Sequence, residues 1–429
     1  MLNSRWRELA GRALGIILDL GCRARYQITA RGLENFTRSP STLVVFNHRR
    51  DADTPIIGNI LFGRRGLFAR DVTPIFVARE DLFRRGFLAS YLQDWPPLLR
   101  KPFSLLSLRP FLWALQAYPL RRIAERTLGE VLEDVLRIFG NLSLDQVLKP
   151  DWVEQFERLA RDGEHPLHVK QVLRGRYQPL LRQGYGLTKL TRERFRALKP
   201  FERATIESQL QLFVEFLEQG KTLQLAPEGA VSRDGRFARI RAGLHVLLNR
   251  PRTLVRVLPV GITYDFMTTG RQWVFVNVGQ EMTDLRGLKP SEASARVMEA
   301  ILAQSTITAS QLASQYLRSV QSRGGDRVSE EELLEYVSRE AHKWAEAGLY
   351  VDPRLLSAQE CEERVLTYLE YCLRSGELVP DGRACYRASR WTQQAPASWA
   401  APGGAINYVN NELTSLAILR GDCLRENTS

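Results

Sequence analysis

The sequence is poor in cysteine and has no long hydrophobic run, and each shortage removes a class of protein. Five cysteines (Cys22, Cys361, Cys372, Cys385 and Cys423) are scattered over 429 residues, with no close pair at metal-ligand spacing. That spread excludes a disulfide framework and a zinc site, and it fits a reducing compartment. The five histidines (His48, His165, His168, His245 and His342) are as dispersed. His165 and His168 lie three apart, but Pro166 stands between them and no Cys or Glu completes a metal set, so a surface loop is the reading there. No stretch approaches the roughly 20 apolar residues that span a bilayer. The most apolar N-terminal segment, Ala13 to Leu20, is short and holds Asp19, and Arg23 and Arg25 follow where a signal-peptide cleavage site needs small residues. The expectation is a chain that is soluble or lies on a membrane without crossing it. Acidic side chains are also in deficit: 48 against 60 basic ones leave a net charge of +12. The partner this favours is anionic, whether nucleic acid, acidic lipid headgroups or a phosphorylated substrate.

What is present reads as an α/β protein. Leu43-Val44-Val45-Phe46, Pro74 to Ala78, Lys221 to Ala226, Val257 to Ile262 and Trp273 to Val278 are short apolar runs that predict strands. Helical spacing separates them, notably over Arg121 to Phe139 and Phe201 to Gln219. Strands alternating with helices imply a sheet covered on both faces. Beyond Lys289 the strand signals fade, and Ser291–Ala303, Ile307–Val320, Ser329–Ala347 and Ala358–Leu373 predict helices, the third opening on a Ser329/Glu332 capping box. Upstream, Trp6, Leu9, Ala13, Ile16, Ile17 and Leu20 share one helical face. That pattern fits a helix in a membrane interface or one packed on its own domain.

Chemistry concentrates after the first strand, in Asn47-His48-Arg49-Arg50-Asp51-Ala52-Asp53. Strand ends in α/β sheets face the ligand crevice. A neutral His there can take a proton from an attacking hydroxyl, and a carboxylate on its other ring nitrogen fixes the tautomer. No Gly-x-Ser-x-Gly elbow occurs anywhere in the chain, so a substrate would have to bring its own hydroxyl. By itself the pair does not separate catalysis from a His that caps a strand.

Three further blocks accompany it. Gln116-Ala117-Tyr118-Pro119-Leu120-Arg121-Arg122 ends an apolar stretch in two guanidiniums. Leu225-Ala226-Pro227-Glu228-Gly229-Ala230-Val231-Ser232 follows a predicted strand, and Pro259 sits inside the apolar run Val257 to Ile262. In this order the four blocks resemble the glycerolipid acyltransferase family, which includes lysophosphatidate and glycerol-3-phosphate acyltransferases. The family's Asn-His-x-x-x-x-Asp is met by Asn47, His48 and Asp53. The Arg closing its second block is met by Arg122, its Pro-Glu-Gly block by Pro227, Glu228, Gly229 and Ser232, and its Pro-bearing strand by Pro259. The likeness spans about residues 30 to 285.

The resemblance implies a central mixed sheet flanked by helices, as in glycerol-3-phosphate acyltransferases, with an added C-terminal helical domain. It implies His48 as general base, Asp53 as its orienting partner, and Arg122, Glu228, Gly229 and Ser232 as holders of the acceptor. Fatty acyl transfer from a thioester of acyl-carrier protein or coenzyme A to lysophosphatidate is the implied reaction, with no metal or other cofactor. Acylation of glycerol 3-phosphate is the alternative, and a silent scaffold with the same fold is another. The implied setting is cytoplasmic, peripherally bound to an anionic membrane surface, without nucleic acid. Ala230-Val231 stand where the family usually has Thr-Arg, leaving Arg233, Arg236, Arg239 or Arg241 to supply the missing cation. The division expected is an amphipathic helix over 1–30, a catalytic domain over 31–288 with a helical insertion at about 141–201, a helical domain over 289–392 and a poorly ordered tail over 393–429. Between the first two blocks, aromatic and basic residues interleave from Leu82 to Trp113, a composition suited to a lipid headgroup region.

Overall fold

Five consecutive buried residues, Thr42–Phe46, form the strand around which the sheet is arranged. β-branched and aromatic side chains with no polar alternation suit a strand covered on both faces. The computed structural model describes residues 4–63, 74–84, 86–87, 89, 96, 101–103, 105–123, 126–161, 165–388 and 404–417. In chain order the main elements are α1 (Ser4–Arg25), β1 (Tyr26–Arg31), β2 (Thr42–Phe46), α2 (Asp53–Phe62), β3 (Ile75–Arg79), α3 (Arg109–Ala114) and β4 (Ala117–Leu120). There follow α4 (Leu128–Phe139), α5 (Pro150–Glu157), α6 (Arg192–Glu218), β5 (Leu223–Leu225), α7 (Gly243–Asn249), β6 (Arg256–Tyr264) and β7 (Gln272–Val278). The last are α8 (Pro290–Leu302), α9 (Ala309–Ser322), α10 (Glu330–Glu346), α11 (Ala358–Ser375) and α12 (Gly404–Ala417).

The chain divides into two compact units. Met1–Val77, Pro110–Tyr118 and Phe213–Ser429 make the first, and Ala78–Arg109 with Pro119–Leu212 make the second. The seven-stranded sheet runs in the order β1-β7-β6-β2-β5-β3-β4. β2 lies parallel to both β5 and β6, β3 parallel to β5 and β1 parallel to β7, while β6 and β7 are antiparallel. The protein is therefore mixed α/β, with a mostly parallel central sheet flanked by helices.

Two strands of this sheet were hidden in the sequence. The region expected to be one amphipathic helix over 1–30 is helical only to Arg25, after which Tyr26–Arg31 pairs residue for residue with Gln272–Asn277. The helix expected from Arg121 begins at Leu128, because Thr127 caps it: its side chain accepts from the Glu130 N–H while Glu130 returns a bond to the Thr127 N–H. Ala117–Leu120 ahead of it is strand β4. The Ser329/Glu332 box does not form, although Ser329 does precede α10.

The helices after Lys289 form α8–α11. They belong to the same unit as the sheet. One hydrophobic cluster runs from Val44, Phe46, Leu258 and Val276 into Leu312, Val337, Tyr368 and Val409. A buried ionic joint reinforces it: Asp265, just past β6, accepts from the Ser310 N–H at 3.2 Å and pairs with the Arg364 guanidinium. Within the stretch expected to be a poorly ordered tail, residues 404–417 are the helix α12, whose Ile406, Val409, Leu413 and Leu416 are buried. The rest of that stretch, 393–403 and 418–429, lies outside the described residues, as does much of the aromatic-basic segment from Leu82 to Trp113.

In the second unit, the segment expected as an insertion packs on α4 around Leu132, Val135, Leu148, Phe156, Val172 and Leu198. In the same unit Arg121 pairs with Glu80 at 2.7 Å, and Arg126 with Asp134 at 2.6 Å and with Glu202. Among the described residues, no helix is long and apolar enough to cross a membrane.

Candidate active site

Three adjacent parallel strands, β5, β2 and β6, end at one edge of the first unit's sheet. The loops that leave them must therefore meet, and this is where parallel sheets bind ligands. Asn47 prolongs the sheet by one residue. Its side-chain oxygen accepts from the Ile262 N–H and its amide donates to the Ile262 carbonyl, both at 2.8 Å, so the chain leaves β6 at a fixed point and His48 is the first residue free of it.

The His48 Nδ1 lies 2.9 Å from Asp53 Oδ2. The same oxygen accepts the main-chain N–H groups of Arg49 at 2.6 Å and Arg50 at 2.8 Å, and the other accepts the Tyr264 hydroxyl at 2.6 Å. Asp53 is the first residue of α2, where the helix dipole favours a carboxylate. It is fully buried, and four donors compensate its desolvation. Burial, and then the Asp53 charge, hold the Tyr264 phenol well above its usual range, so it stays a proton donor to the carboxylate. A carboxylate on Nδ1 requires the proton there and leaves Nε2 as the basic nitrogen. The His48 side chain is 12% exposed, with its ring edge-on to Phe46. Among the described residues, no Ser or Cys side chain is hydrogen-bonded to it.

Glu228 is held by the main chain of two loops. It is fully buried, and its two oxygens accept the N–H groups of His48 at 2.9 Å and Ala238 at 2.6 Å. Burial raises its carboxyl above the ordinary range, against Arg49 and those two N–H bonds. The side chain expected to hold the acceptor thus latches two loops together. Ser232 is occupied in the same way: its hydroxyl donates to the Arg236 carbonyl at 2.9 Å and accepts from the Gly235 N–H at 3.0 Å, while its own N–H donates to the His48 carbonyl at 2.8 Å. Gly229 turns the chain at φ +79°, a left-handed conformation, with the Arg241 side chain against it. Arg241 is pinned across this turn, its N–H on the Pro227 carbonyl at 2.9 Å and its Nε on the Glu228 carbonyl at 3.1 Å, yet it remains exposed. Arg122 is half-buried and belongs to the second unit.

Two residues of this cluster gave no signal in the sequence. Tyr264 ends a strand buried from Val257 onward and reads as core. Arg49 reads as one of several exposed loop arginines, but is 5% exposed, and its guanidinium donates to the Gly235 carbonyl at 2.8 Å.

No protein-family model and no curated protein matches the sequence. Among solved structures, the chain is similar to the 1-acyl-sn-glycerophosphate (LPA) acyltransferase PlsC from Thermotoga maritima, at 15% identity and a TM-score of 0.34, over 70% of this chain and 80% of that one. With a likeness that faint, the residues themselves carry the functional reading.

Proposed function

We propose that the chain is an O-acyltransferase that moves a fatty acyl group from an acyl thioester to a hydroxyl of lysophosphatidate. The observation that carries this is the buried Asp53 carboxylate fixing His48 Nδ1 at 2.9 Å at the carboxyl ends of parallel strands, with no nucleophile among the described residues bonded to the ring. Such a dyad is suited to draw a proton from a hydroxyl that arrives with the substrate. His48 Nε2 takes that proton, and the oxygen attacks the thioester carbonyl. The tetrahedral intermediate collapses with cleavage of the C–S bond, and the imidazolium returns its proton to the departing thiolate. Acyl-carrier protein or coenzyme A is the donor. Turnover of an acyl thioester by the purified protein, with lysophosphatidate or glycerol 3-phosphate as acceptor, tests the reading. No transfer to any hydroxyl acceptor would overturn it in favour of a silent scaffold.

Of the four arginines available to supply the missing cation, Arg241 is the one anchored on the Glu228 turn. With Nε committed to a main-chain carbonyl, its two terminal nitrogens suit the acceptor's phosphate. Arg241→Ala is expected to raise the acceptor KM about tenfold or more and to leave the donor KM unchanged, since a hydrogen bond to a charged group contributes about 1.5–3 kcal/mol. Steady-state kinetics with each substrate varied in turn checks this; equal effects on both would remove Arg241 from the acceptor site.

An anionic membrane surface is the proposed partner. α1 exposes Ile16, Ile17 and Leu20, and α3 exposes Phe111 and Trp113. The two helices touch, since a Cβ on Gly11 would meet the Ala114 carbonyl oxygen at 2.2 Å. Apolar side chains among arginines suit the headgroup region, and docking there would bring the site to its lipid acceptor. The double variant Ile17→Asp/Leu20→Asp is expected to lose at least tenfold in co-sedimentation with anionic vesicles, each large aliphatic side chain being worth about 1.5–3 kcal/mol when buried. Unchanged binding would place the contact elsewhere.

A further inference from the structure

The C-terminal helix α12 touches both loops that build the site. Glu412 on α12 lies 3.2 Å from Arg49 Nε, and both side chains are only 3% exposed. The other Glu412 oxygen accepts from Gln311 of α9 at 3.2 Å. On the opposite loop, Asn411 donates to the Asp234 carbonyl at 2.9 Å, and the Phe237 N–H donates to the Ser415 hydroxyl at 3.3 Å. The backbones are in direct contact there: Gly235 has φ +86°, and a Cβ on it would stand 1.9 Å from the Tyr408 carbonyl oxygen. Arg49 closes the circuit by donating to the Gly235 carbonyl. Aromatic packing gives a second route, since the Tyr408 ring meets Phe266 edge-on at 5.3 Å and Phe266 stacks on Tyr264, the phenol that holds Asp53.

We propose that α12 is a positioning element of the active site, in which Glu412 holds Arg49, and with it the His48 loop, against the loop that follows Glu228. The claim rests on the acyl-transfer reading for its effect on rate, though not for its effect on the loops. A helix serving only as a cover would bring apolar side chains to this place, and α12 brings those to its other contacts in Ile406, Val409, Leu413 and Leu416. A fully buried carboxylate is costly unless it is paired, and such pairs are retained where they fix one arrangement. Arg49 is the hub: Glu412 from α12, Glu228 from the loop after β5 and Asp53 from α2 all act on its charge. Arg49, Arg50, Asp53 and Tyr408 are the charged and titratable groups that face Glu412. Neither Arg49 nor Glu412 touches a reacting atom. Arg49 instead shares Asp53 with His48, through its main-chain N–H at 2.6 Å.

The test uses the full chain with Glu412→Ala and Glu412→Gln. Glutamine keeps the size and one acceptor for Arg49. Glu412→Ala is expected to lower kcat on the order of tenfold to a hundredfold, the scale of a small misplacement of catalytic groups, with both KM values within twofold of wild type. Glu412→Gln should recover most of the rate. Hydrogen exchange provides the readout independent of turnover: amides of residues 46–53 and 232–238 should exchange faster in Glu412→Ala, while those of α4 in the second unit stay as they were. Unchanged exchange in both loops would overturn the proposal even if the enzyme is active. Faster exchange in a protein that transfers no acyl group would overturn the acyl-transfer reading and leave the positioning role standing. If the alanine variant does not fold, a Glu412→Gln enzyme with raised KM and unaltered kcat would count against the proposal.

Discussion

Truncating His48 to alanine is expected to lower kcat for acyl transfer about 10³-fold while leaving the chain folded. General-base catalysis contributes roughly 10²–10⁴-fold, and His48 Nε2 is the ring nitrogen not spent on Asp53. The fold should survive because the imidazole is held in place more than it holds anything. Its loop is fixed by the main chain, with the His48 N–H on Glu228 at 2.9 Å and the His48 carbonyl accepting from Ser232 at 2.8 Å. Asp53 keeps three of its four donors in the variant, namely the N–H groups of Arg49 and Arg50 and the Tyr264 hydroxyl. The cost in stability should be about 1–2 kcal/mol, that of one hydrogen bond and a partly exposed ring. Transfer assays alongside thermal melts separate the two effects. A variant that melts like wild type and still transfers acyl groups within tenfold of its rate would remove His48 from the chemistry and, with it, the dyad mechanism.

How much of this was legible in the sequence depends on how local each feature is. β2 was visible because a run of buried residues ends abruptly in Asn47-His48, and His48 and Asp53 lie within one loop, so their pairing needed only the first turn of α2 to form. The strand before Glu228 was readable for the same reason. The role of Glu228 was not, because burial of its carboxylate depends on the segment through Ala238 folding back over it, and nothing in Pro227-Glu228-Gly229 encodes that return. Tyr264 was invisible: an aromatic residue closing an apolar strand looks like core, and only its place beside β2 turns its hydroxyl toward Asp53. α12 was obscured by its neighbourhood, since a helix that follows an Ala-, Pro- and Gln-rich segment has no local signal for docking. Its apolar face and Glu412 acquire meaning only from Arg49 and Gln311, far away in the chain. β1 follows α1 without a break, so a helical reading of the sequence runs on across it.

Asp53 carries the second large effect, and its variants divide structure from chemistry. In Asp53→Asn the amide oxygen can take the place of Oδ2 and keep the N–H groups of Arg49, Arg50 and His48. The new NH₂ then faces Tyr264, whose hydroxyl can turn from donor to acceptor. Every hydrogen bond has a successor, so the protein should melt within a few degrees of wild type. What is lost is the charge. A neutral amide does not stabilise the imidazolium that forms as His48 accepts the hydroxyl proton, and the rate should fall about 10³–10⁴-fold, as in triads whose aspartate is made neutral. Asp53→Ala removes the acceptor altogether and strands three buried or half-buried N–H groups and a buried phenol at about 1–3 kcal/mol each, so that variant should be grossly destabilised or fail to fold. Tyr264→Phe removes one donor and leaves the charge, and it should cost less than tenfold in rate. Loss of kcat, least for Tyr264→Phe and about 10³-fold or more for both His48→Ala and Asp53→Asn, should not run parallel to loss of stability. If Asp53→Asn lost stability in step with activity, the carboxylate would be a loop anchor alone, and the tautomer argument that makes Nε2 the base would have no support.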